Sequence, residues 1–201
     1  TEERVQLMKD NNVPDWYIES CQRIKYMFPR AHAVAYVMMS YRIAWFKVYY
    51  PVPFYAAYFT TKVADFNSEV VLKGSGAILA RIDEILAKGK NATKKEEDEM
   101  TVLEVAYEMY SRGYEFEPIN FGVSDGTKFY EHEGRVLLPF MAVSGIGETA
   151  AKALADECRI RPFETIEELK SRTRISNSNI ESLKAMGVLE GMPETDQLSM
   201  F

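Results

Sequence analysis

One predicted helical face near the start of the chain combines residue types that can bind a phosphorylated ligand. Its members follow one another at spacings of three or four: His32, Tyr36, Ser40, Ile43 and Lys47. Such spacing places side chains on one face of an α-helix. Arg30 lies just before this face, and a cation beside imidazole and phenol groups can hold a phosphate. The same pattern fits a buried helix whose His and Tyr are hydrogen-bonded within a core, so both interpretations stay open.

A single long helix must carry this face. Pro29 stands where the helix would begin, a position at which its missing N–H costs nothing. Residues 31–50 contain no glycine and no proline. Apolar and aromatic residues lie on almost every side of the helix, and we therefore expect most of it to be buried.

A glycine-rich turn near residue 145 offers a second kind of chemistry, the binding of a phosphate by backbone. Ser144 and Gly145-Ile146-Gly147 precede a helix predicted over Glu148–Glu157. Glycines let the backbone turn tightly and approach a phosphate, and the free N–H groups of the next helix point at the anion. The stretch VSGIGETAAKAL resembles a helix-hairpin-helix motif, which grips duplex DNA through phosphates. The expected DNA-binding residues are Gly145, Ile146, Gly147, Thr149 and Lys152.

Two observations near this turn argue the other way. A glycine-rich turn between two helices can be purely structural. Glu148 would repel a phosphate if its carboxylate faced the groove.

The last five residues form a third candidate site. Leu, Met and Phe at a polar chain end either fold back onto the domain or dock on a partner. The sequence QLSMF resembles the pentapeptide that binds the bacterial sliding clamp, with Met200 in place of the usual Leu, a swap of similar volume. The expected clamp-binding residues are Gln197, Leu198, Ser199, Met200 and Phe201.

Charge and composition exclude several classes of protein. The net charge of -6 argues against a generally basic nucleic-acid binder. Residues 1–63 are the exception, with eight Lys and Arg against five Asp and Glu, whereas residues 139–201 hold seven against ten. Any DNA contact in the last segment must therefore depend on local geometry rather than on bulk charge.

Metal, disulfide and membrane patterns are not apparent in the sequence. Cys21 and Cys158 lie far apart and are expected to be buried free thiols, and the two histidines add no zinc-type spacing. The apolar run over residues 36–59 is interrupted by charges and prolines, so it does not predict a membrane span.

The remaining elements predict a mostly α fold of α+β type. Helices are expected over residues 2–11, over residues 15–27, after Pro53, over residues 70–88 and over residues 93–112. Thr93 and Glu96 have the spacing of a capping box.

The texture of the chain changes after residue 113. Turn signals at Asp125-Gly126 and Glu133-Gly134 predict two or three short strands, with His132 exposed and without a role. Two final helices are capped by Thr165 and by Ser176 or Asn177, and Arg172 and Arg174 are candidates for DNA-backbone contact.

The stretch PRAHAVAYVMMSYRIAWFKVYYPVPFYAAYFT resembles the fingers segment of C-family replicative DNA polymerases. Arg30, His32 and Tyr36 match a cation, His and Tyr run in that family, and YYPVPFYAAY matches the sequence that follows its helix. The resemblance extends over all 201 residues and is to the C-terminal region of Gram-positive-type polymerase III alpha subunits. A start at Thr1 rather than Met is expected for a piece of a longer protein.

The resemblance implies a division of the chain by role. Residues 1–113 would be the C-terminal part of the fingers, residues 114–138 a β connector, residues 139–196 a helix-hairpin-helix duplex-binding domain and residues 197–201 a clamp-binding tail. Arg30, His32 and Tyr36 would line the nucleotide pocket.

The resemblance also implies cofactors, partners and location. Mg²⁺ would be held by palm aspartates outside this chain, which shows no Asp cluster and should be inactive alone. The implied partners are primed duplex DNA, the incoming dNTP, the sliding clamp and other replisome subunits, in the cytoplasm at the nucleoid and away from membranes.

Two other classes of function remain open. A non-enzymatic helix-hairpin-helix module of a repair or recombination protein would explain residues 139–190 but not the helical stripe or the tail. An interaction scaffold would make the aromatic helix a simple core element. Nucleotide binding with and without primed template would distinguish these interpretations.

Overall fold

A computed structural model describes residues 2–24, 29–173 and 175–195. Within these ranges the chain forms ten α-helices and a small three-stranded sheet, which confirms the predicted mostly α fold. The chain divides into two compact units, Thr1–Trp45 and Phe46–Phe201. No helix in the described ranges is both long and apolar enough to span a membrane.

The first unit begins with two short helices. Helix α1 covers Glu2–Asp10 and helix α2 covers Asp15–Arg23, after Pro14. Ile18 is the buried residue of α2. The N–H of Ile24 caps α2 by donating to the carbonyl of Ser20, so the helix ends before the predicted residue 27, and residues 25–28 lie outside the described ranges.

Helix α3 runs over Arg30–Tyr49 as the proline and the absence of glycine predict. The prediction that most of it is buried is wrong for this chain, since none of its residues is buried. An all-round apolar surface indicates that a helix needs covering, but it does not say that the same 201 residues supply the cover.

The second unit starts with four helices. Helix α4 covers Pro51–Thr61, α5 covers Ser68–Val71, α6 covers Ser75–Lys88 and α7 covers Lys94–Ser111. The single helix expected over residues 70–88 is thus two helices. Gly74 separates them with a φ of 89°, a conformation that non-glycine residues rarely adopt.

A polar cluster joins α6 to α7. The predicted capping box is present, because the side chains and backbones of Thr93 and Glu96 bond reciprocally. Hydrogen bonds from Lys88 and from the backbone of Thr93 lower the pKa of Glu96 to about 2. Burial pushes the pKa of Glu99 up, but bonds from Arg81 and from Asn67 outweigh it and hold that pKa below its usual value. The buried carboxylate of Glu99 and the half-buried carboxylate of Glu96 are therefore both compensated by hydrogen bonds.

The sheet follows α7 and is as small as the turn signals predict. Strand β1 covers Phe116–Glu117, β2 covers Tyr130–His132 and β3 covers Arg135–Leu137. The strand order is β1-β3-β2, with β3 parallel to β1 and antiparallel to β2.

The prediction of an exposed His132 is wrong, and the absence of a functional role for it stays a prediction. His132 is half-buried, and its Nδ1 lies 2.8 Å from a carboxylate oxygen of Glu117 on β1. The two strands that carry these residues flank β3, so the pair ties the edges of the sheet together, a cross-sheet contact that turn signals cannot reveal.

Three helices complete the second unit around one continuous core. Helix α8 covers Glu148–Ile160, α9 covers Ile166–Thr173 and α10 covers Asn177–Ala185. The buried apolar cluster runs without interruption from Val52 on α4 to Leu189. The predicted boundaries at residues 113 and 138 therefore do not separate different cores, and the division of the chain by role stays a prediction.

Candidate nucleic-acid interface

The glycine-rich turn is an exposed loop fastened to the core by one side chain. A short 3-10 helix over Phe140–Ala142 leads into the loop, and α8 leads out of it. Ile146 is only 5% exposed, while Ser144, Gly145 and residues 147–150 are exposed. Since the Ile146 side chain is packed inside, any DNA contact of this residue must use its backbone.

The two glycines of the loop have different surroundings. Gly145 has a φ of 83°, and a Cβ added there would lie 2.9 Å from the side-chain nitrogen of Asn179. Gly147 has an ordinary φ of -76°, and a Cβ added there would meet nothing within 4 Å. The fold therefore requires glycine at residue 145, whereas nothing in the described part of the chain requires glycine at residue 147.

The start of α8 presents backbone donors to solvent. The helix begins without a side-chain cap, and the N–H of Ala151 is the one that donates to the carbonyl of Gly147, at 2.9 Å. The N–H groups of the three preceding residues stand before the first bond within the helix. Together with the positive end of the helix dipole, these groups are of the kind that can bind an anion.

The charges on the first turn of α8 partly cancel. Lys152 donates to Glu148 at 2.6 Å, and this bond raises the pKa of Lys152 and lowers that of Glu148. Both side chains are more than half exposed, and exposed pairs of this kind contribute little. A phosphate can therefore compete for Lys152, while Glu148 keeps the bare loop from being strongly basic.

The loop between β1 and β2 packs against α8. Gly126 lies so close to the helix that an added Cβ would be 2.9 Å from the Cα of Lys152. The backbone N–H of Met141 donates to the carbonyl of Gly126 at 2.9 Å. Asp125 accepts from Arg159 on α8 at 3.2 Å. The predicted turn at residues 125 and 126 thus becomes a support for the loop and its helix.

Arg172 does not serve as the surface DNA contact that the sequence suggested. Its guanidinium bonds Glu157 and Glu168 and lies 4.4 Å from the ring centre of Phe163. Its side chain is only 17% exposed, so it links α8 to α9 instead. Arg174 lies outside the described residues.

On α3, the helical face predicted to bind a nucleotide begins with His32 and Tyr36. The rings of His32 and Tyr36 meet edge to face with centres 4.4 Å apart, and Arg30 stands at the start of the helix. All three residues are exposed. The structure brings His32 and Tyr36 together as the spacing predicts, and their role in nucleotide binding stays a prediction.

Two remaining points concern metal binding and the chain end. Among the described residues no group of His, Cys, Asp or Glu is arranged to hold a metal ion. The tail Gln197–Phe201 lies outside the described residues.

Comparison with known proteins supports the class that the loop suggests. Residues 113–198 match the family described as a helix-hairpin-helix motif. This part of the chain, which contains the sheet, the loop and the last three helices, is therefore similar to helix-hairpin-helix proteins.

The whole chain is homologous to a segment of PolC-type DNA polymerase III. It is 53% identical over its full length to the protein of that name from Caldanaerobacter subterraneus subsp. tengcongensis, and 48% identical to that from Clostridium perfringens. It is 45% identical over 96% of its length to that from Bacillus subtilis. The chain spans 14% of the length of each of these relatives. The resemblance to Gram-positive-type polymerases is confirmed.

Proposed function

We propose that this chain is the C-terminal portion of a replicative DNA-directed DNA polymerase and that its main task is to grip duplex DNA. The single observation that carries the proposal is the similarity of the whole chain, at 45–53% identity, to a segment of PolC-type DNA polymerase III. A non-enzymatic repair module would account for residues 113–198 but would leave the similarity of residues 1–112 without a reason. The polymerase works in the cytoplasm at the nucleoid, with other replisome subunits.

The grip acts through phosphate oxygens. The N–H groups at the start of α8 donate to one phosphate, and Gly147 lets the backbone approach it without a Cβ in the way. Lys152 turns from Glu148 toward the same anion, and Thr149 adds a hydroxyl on the exposed first turn. Such contacts position a duplex but read no sequence, as a replicative enzyme requires.

The chemistry of nucleotide addition is supplied elsewhere in the polymerase. Two Mg²⁺ ions held by carboxylates of another domain would stabilise the attacking and leaving oxygens. We therefore expect the 201-residue chain alone to incorporate no nucleotide on primed DNA with Mg²⁺ and all four dNTPs. The measurement is extension of a labelled primer, with the longer polymerase as the positive control. Robust extension by the pure chain would overturn this division of labour.

The stripe on α3 is proposed to form a wall of the nucleotide pocket. Arg30 would lie near the phosphates, and the edge-to-face pair of His32 and Tyr36 would contact the incoming nucleotide or the nascent base pair. In the longer polymerase, His32→Ala or Tyr36→Ala should raise the nucleotide KM or lower kcat, with little change in the affinity for DNA.

Tyr41 supplies the matched control for this prediction. It is 74% exposed on the same helix and, five residues from Tyr36, faces another side. Tyr41→Ala should leave the nucleotide kinetics unchanged. Wild-type kinetics with lowered stability in the His32 and Tyr36 variants would mean that these residues are only structural.

The tail is proposed to tether the polymerase to the sliding clamp. Leu198, Met200 and Phe201 would enter an apolar pocket while Gln197 bonds at its rim and Ser199 spaces the anchors. Three apolar side chains at about 1.5–3 kcal/mol each give enough gross energy for micromolar binding, since few residues must be ordered.

Removing residues 197–201 should abolish binding to the clamp. The fold and the affinity for DNA should be unchanged, because a chain end seldom carries the core. The measurement is a titration of immobilised clamp with the full and the truncated chain, with thermal melting in parallel. Equal clamp binding by the two proteins would exclude the tail as the tether, and a large fall in melting temperature would mean that it packs on the domain.

A further inference from the structure

A buried amide side chain from α10 lies directly behind the glycine-rich loop. Asn179 is 7% exposed, and its Nδ2 donates to the backbone carbonyl of Ser144 at 3.2 Å. The Oδ1 of Asn179 accepts from the hydroxyl of Ser176 at 2.6 Å. The backbone N–H of Asn179 donates to the same hydroxyl oxygen at 3.2 Å. Because the carbonyl of Ser144 can only accept a hydrogen bond, the amide nitrogen must face the loop.

The loop is shaped to receive this side chain. An added Cβ on Gly145 would lie 2.9 Å from the Nδ2 of Asn179, closer than real Cβ contacts come. Two features of the loop backbone, the missing Cβ of Gly145 and the carbonyl of Ser144, thus meet one amide group. Ile146 follows at once, and its N–H donates to Val143 at 3.1 Å. The amide is therefore in direct contact with the segment that leads to α8.

We infer that Asn179 is a positioning residue for DNA binding, which holds the loop while touching no DNA itself. This inference rests on the proposed grip of a phosphate by the loop and the start of α8. The bond to Ser144 fixes the backbone at the entrance of the loop, and the core fixes Ile146. The backbone donors of α8 are then already oriented toward the phosphate before DNA binds. The entropic cost of ordering the loop on binding is therefore small.

The position also gives α10 a task. Helix α10 covers Asn177–Ala185, and through Asn179 it supports the loop that leads into α8. Ser176 completes this support, because it orients the amide from the other side. The start of α10 therefore supports the loop that precedes α8.

The test compares Asn179→Ala with a variant that destabilises the same helix without touching the loop. Ile180 is 1% exposed and adjacent, and Ile180→Val removes one methyl group from the core. The readouts are the affinity of the 201-residue chain for a labelled duplex, thermal melting and hydrogen exchange of the Ile146 amide. Asn179→Ala should weaken duplex binding about five- to tenfold, in keeping with the net contribution of one hydrogen bond, and speed the exchange of Ile146. Ile180→Val should do neither, even where its melting temperature is equally lowered.

A double variant tests the contact itself. Gly145→Ala places a methyl group against Asn179 and also strains the backbone, so it should weaken binding. Asn179→Ala removes the collision but not the backbone strain. The factor by which the double variant loses affinity should therefore be smaller than the product of the factors for the two single variants. Independent effects would show that the two residues do not act through one another.

The outcomes separate this inference from the proposed function. If the wild-type chain binds duplex DNA and Asn179→Ala binds equally well, the positioning role is wrong and the grip stands. If the wild-type chain does not bind duplex DNA, the proposed grip is wrong and the positioning role fails with it. In either case, unchanged hydrogen exchange of the Ile146 amide in Asn179→Ala would show that Asn179 does not hold the loop in place.

Discussion

Replacing Gly147 with aspartate is expected to weaken duplex binding strongly while the melting temperature stays unchanged or rises. An aspartate before the first turn caps a helix well and interacts favourably with its dipole. The position has ordinary dihedral angles and open space for a side chain. A phosphate at the start of α8 would, however, meet a carboxylate. Two like unit charges 4 Å apart repel by about 1 kcal/mol in bulk water and by about 4 kcal/mol near a protein surface. This range corresponds to a loss of about fivefold to a thousandfold in affinity.

Thr93→Asp is the matched control for Gly147→Asp. Thr93 caps α7, so the change adds the same charge at the same kind of position on a different helix. Fluorescence anisotropy with a short duplex at fixed salt, together with thermal melting, measures both variants. Equal affinities of Gly147→Asp and Thr93→Asp would show that the start of α8 does not face a phosphate.

Phe59→Ala is expected to have the largest effect on stability. Phe59 is fully buried on α4, and its ring centre lies 5.0 Å from that of Phe116 on β1, 5.5 Å from that of Phe66 and 5.9 Å from that of Phe129. Truncation of such a phenylalanine costs about 3–5 kcal/mol, because the surrounding groups cannot close the cavity. Urea denaturation followed by circular dichroism should show this loss in the free energy of unfolding.

The same variant tests whether the second unit has one core. Since the buried cluster continues from α4 to the last helices, amides of α8 should lose protection against hydrogen exchange together with those of α4. Leu79→Ala, at a site that is 40% exposed on α6, should cost far less. Full protection of α8 in Phe59→Ala would mean that the helix-hairpin-helix part folds independently.

The sequence predicts best what is decided locally. The capping box at Thr93 and Glu96 is read from spacing alone, because both partners lie within one helical turn. Gly145 is similar, since a tight turn before a helix demands a residue that tolerates a positive φ. Gly74, in contrast, separates two helices where the sequence predicts a single helix over residues 70–88.

Contacts between distant parts of the chain are not predictable in this way. Arg172 reads as a free cation in the sequence, yet it is held between two carboxylates and an aromatic ring. Asn179 has no motif around it, and its meeting with Ser144 joins residues 35 positions apart. Only the packing of the helices brings such groups together.

The wrong prediction that α3 is buried has a different cause. Its apolar faces predict burial, but what covers a helix depends on which surfaces are present, and the chain spans 14% of the length of its relatives. The periodicity of apolar residues indicates that a helix is buried in the working protein, but it does not identify the surface that buries it.

The salt dependence of duplex binding by the wild-type chain tests the central claim most directly. For a phosphate grip, the logarithm of the binding constant should fall linearly with the logarithm of salt concentration, by about 0.9 per neutralised phosphate. Duplexes of different sequence should give the same line, and Gly147→Asp should give a shallower one. An affinity that is independent of salt, or that favours one sequence over the others, would contradict the account.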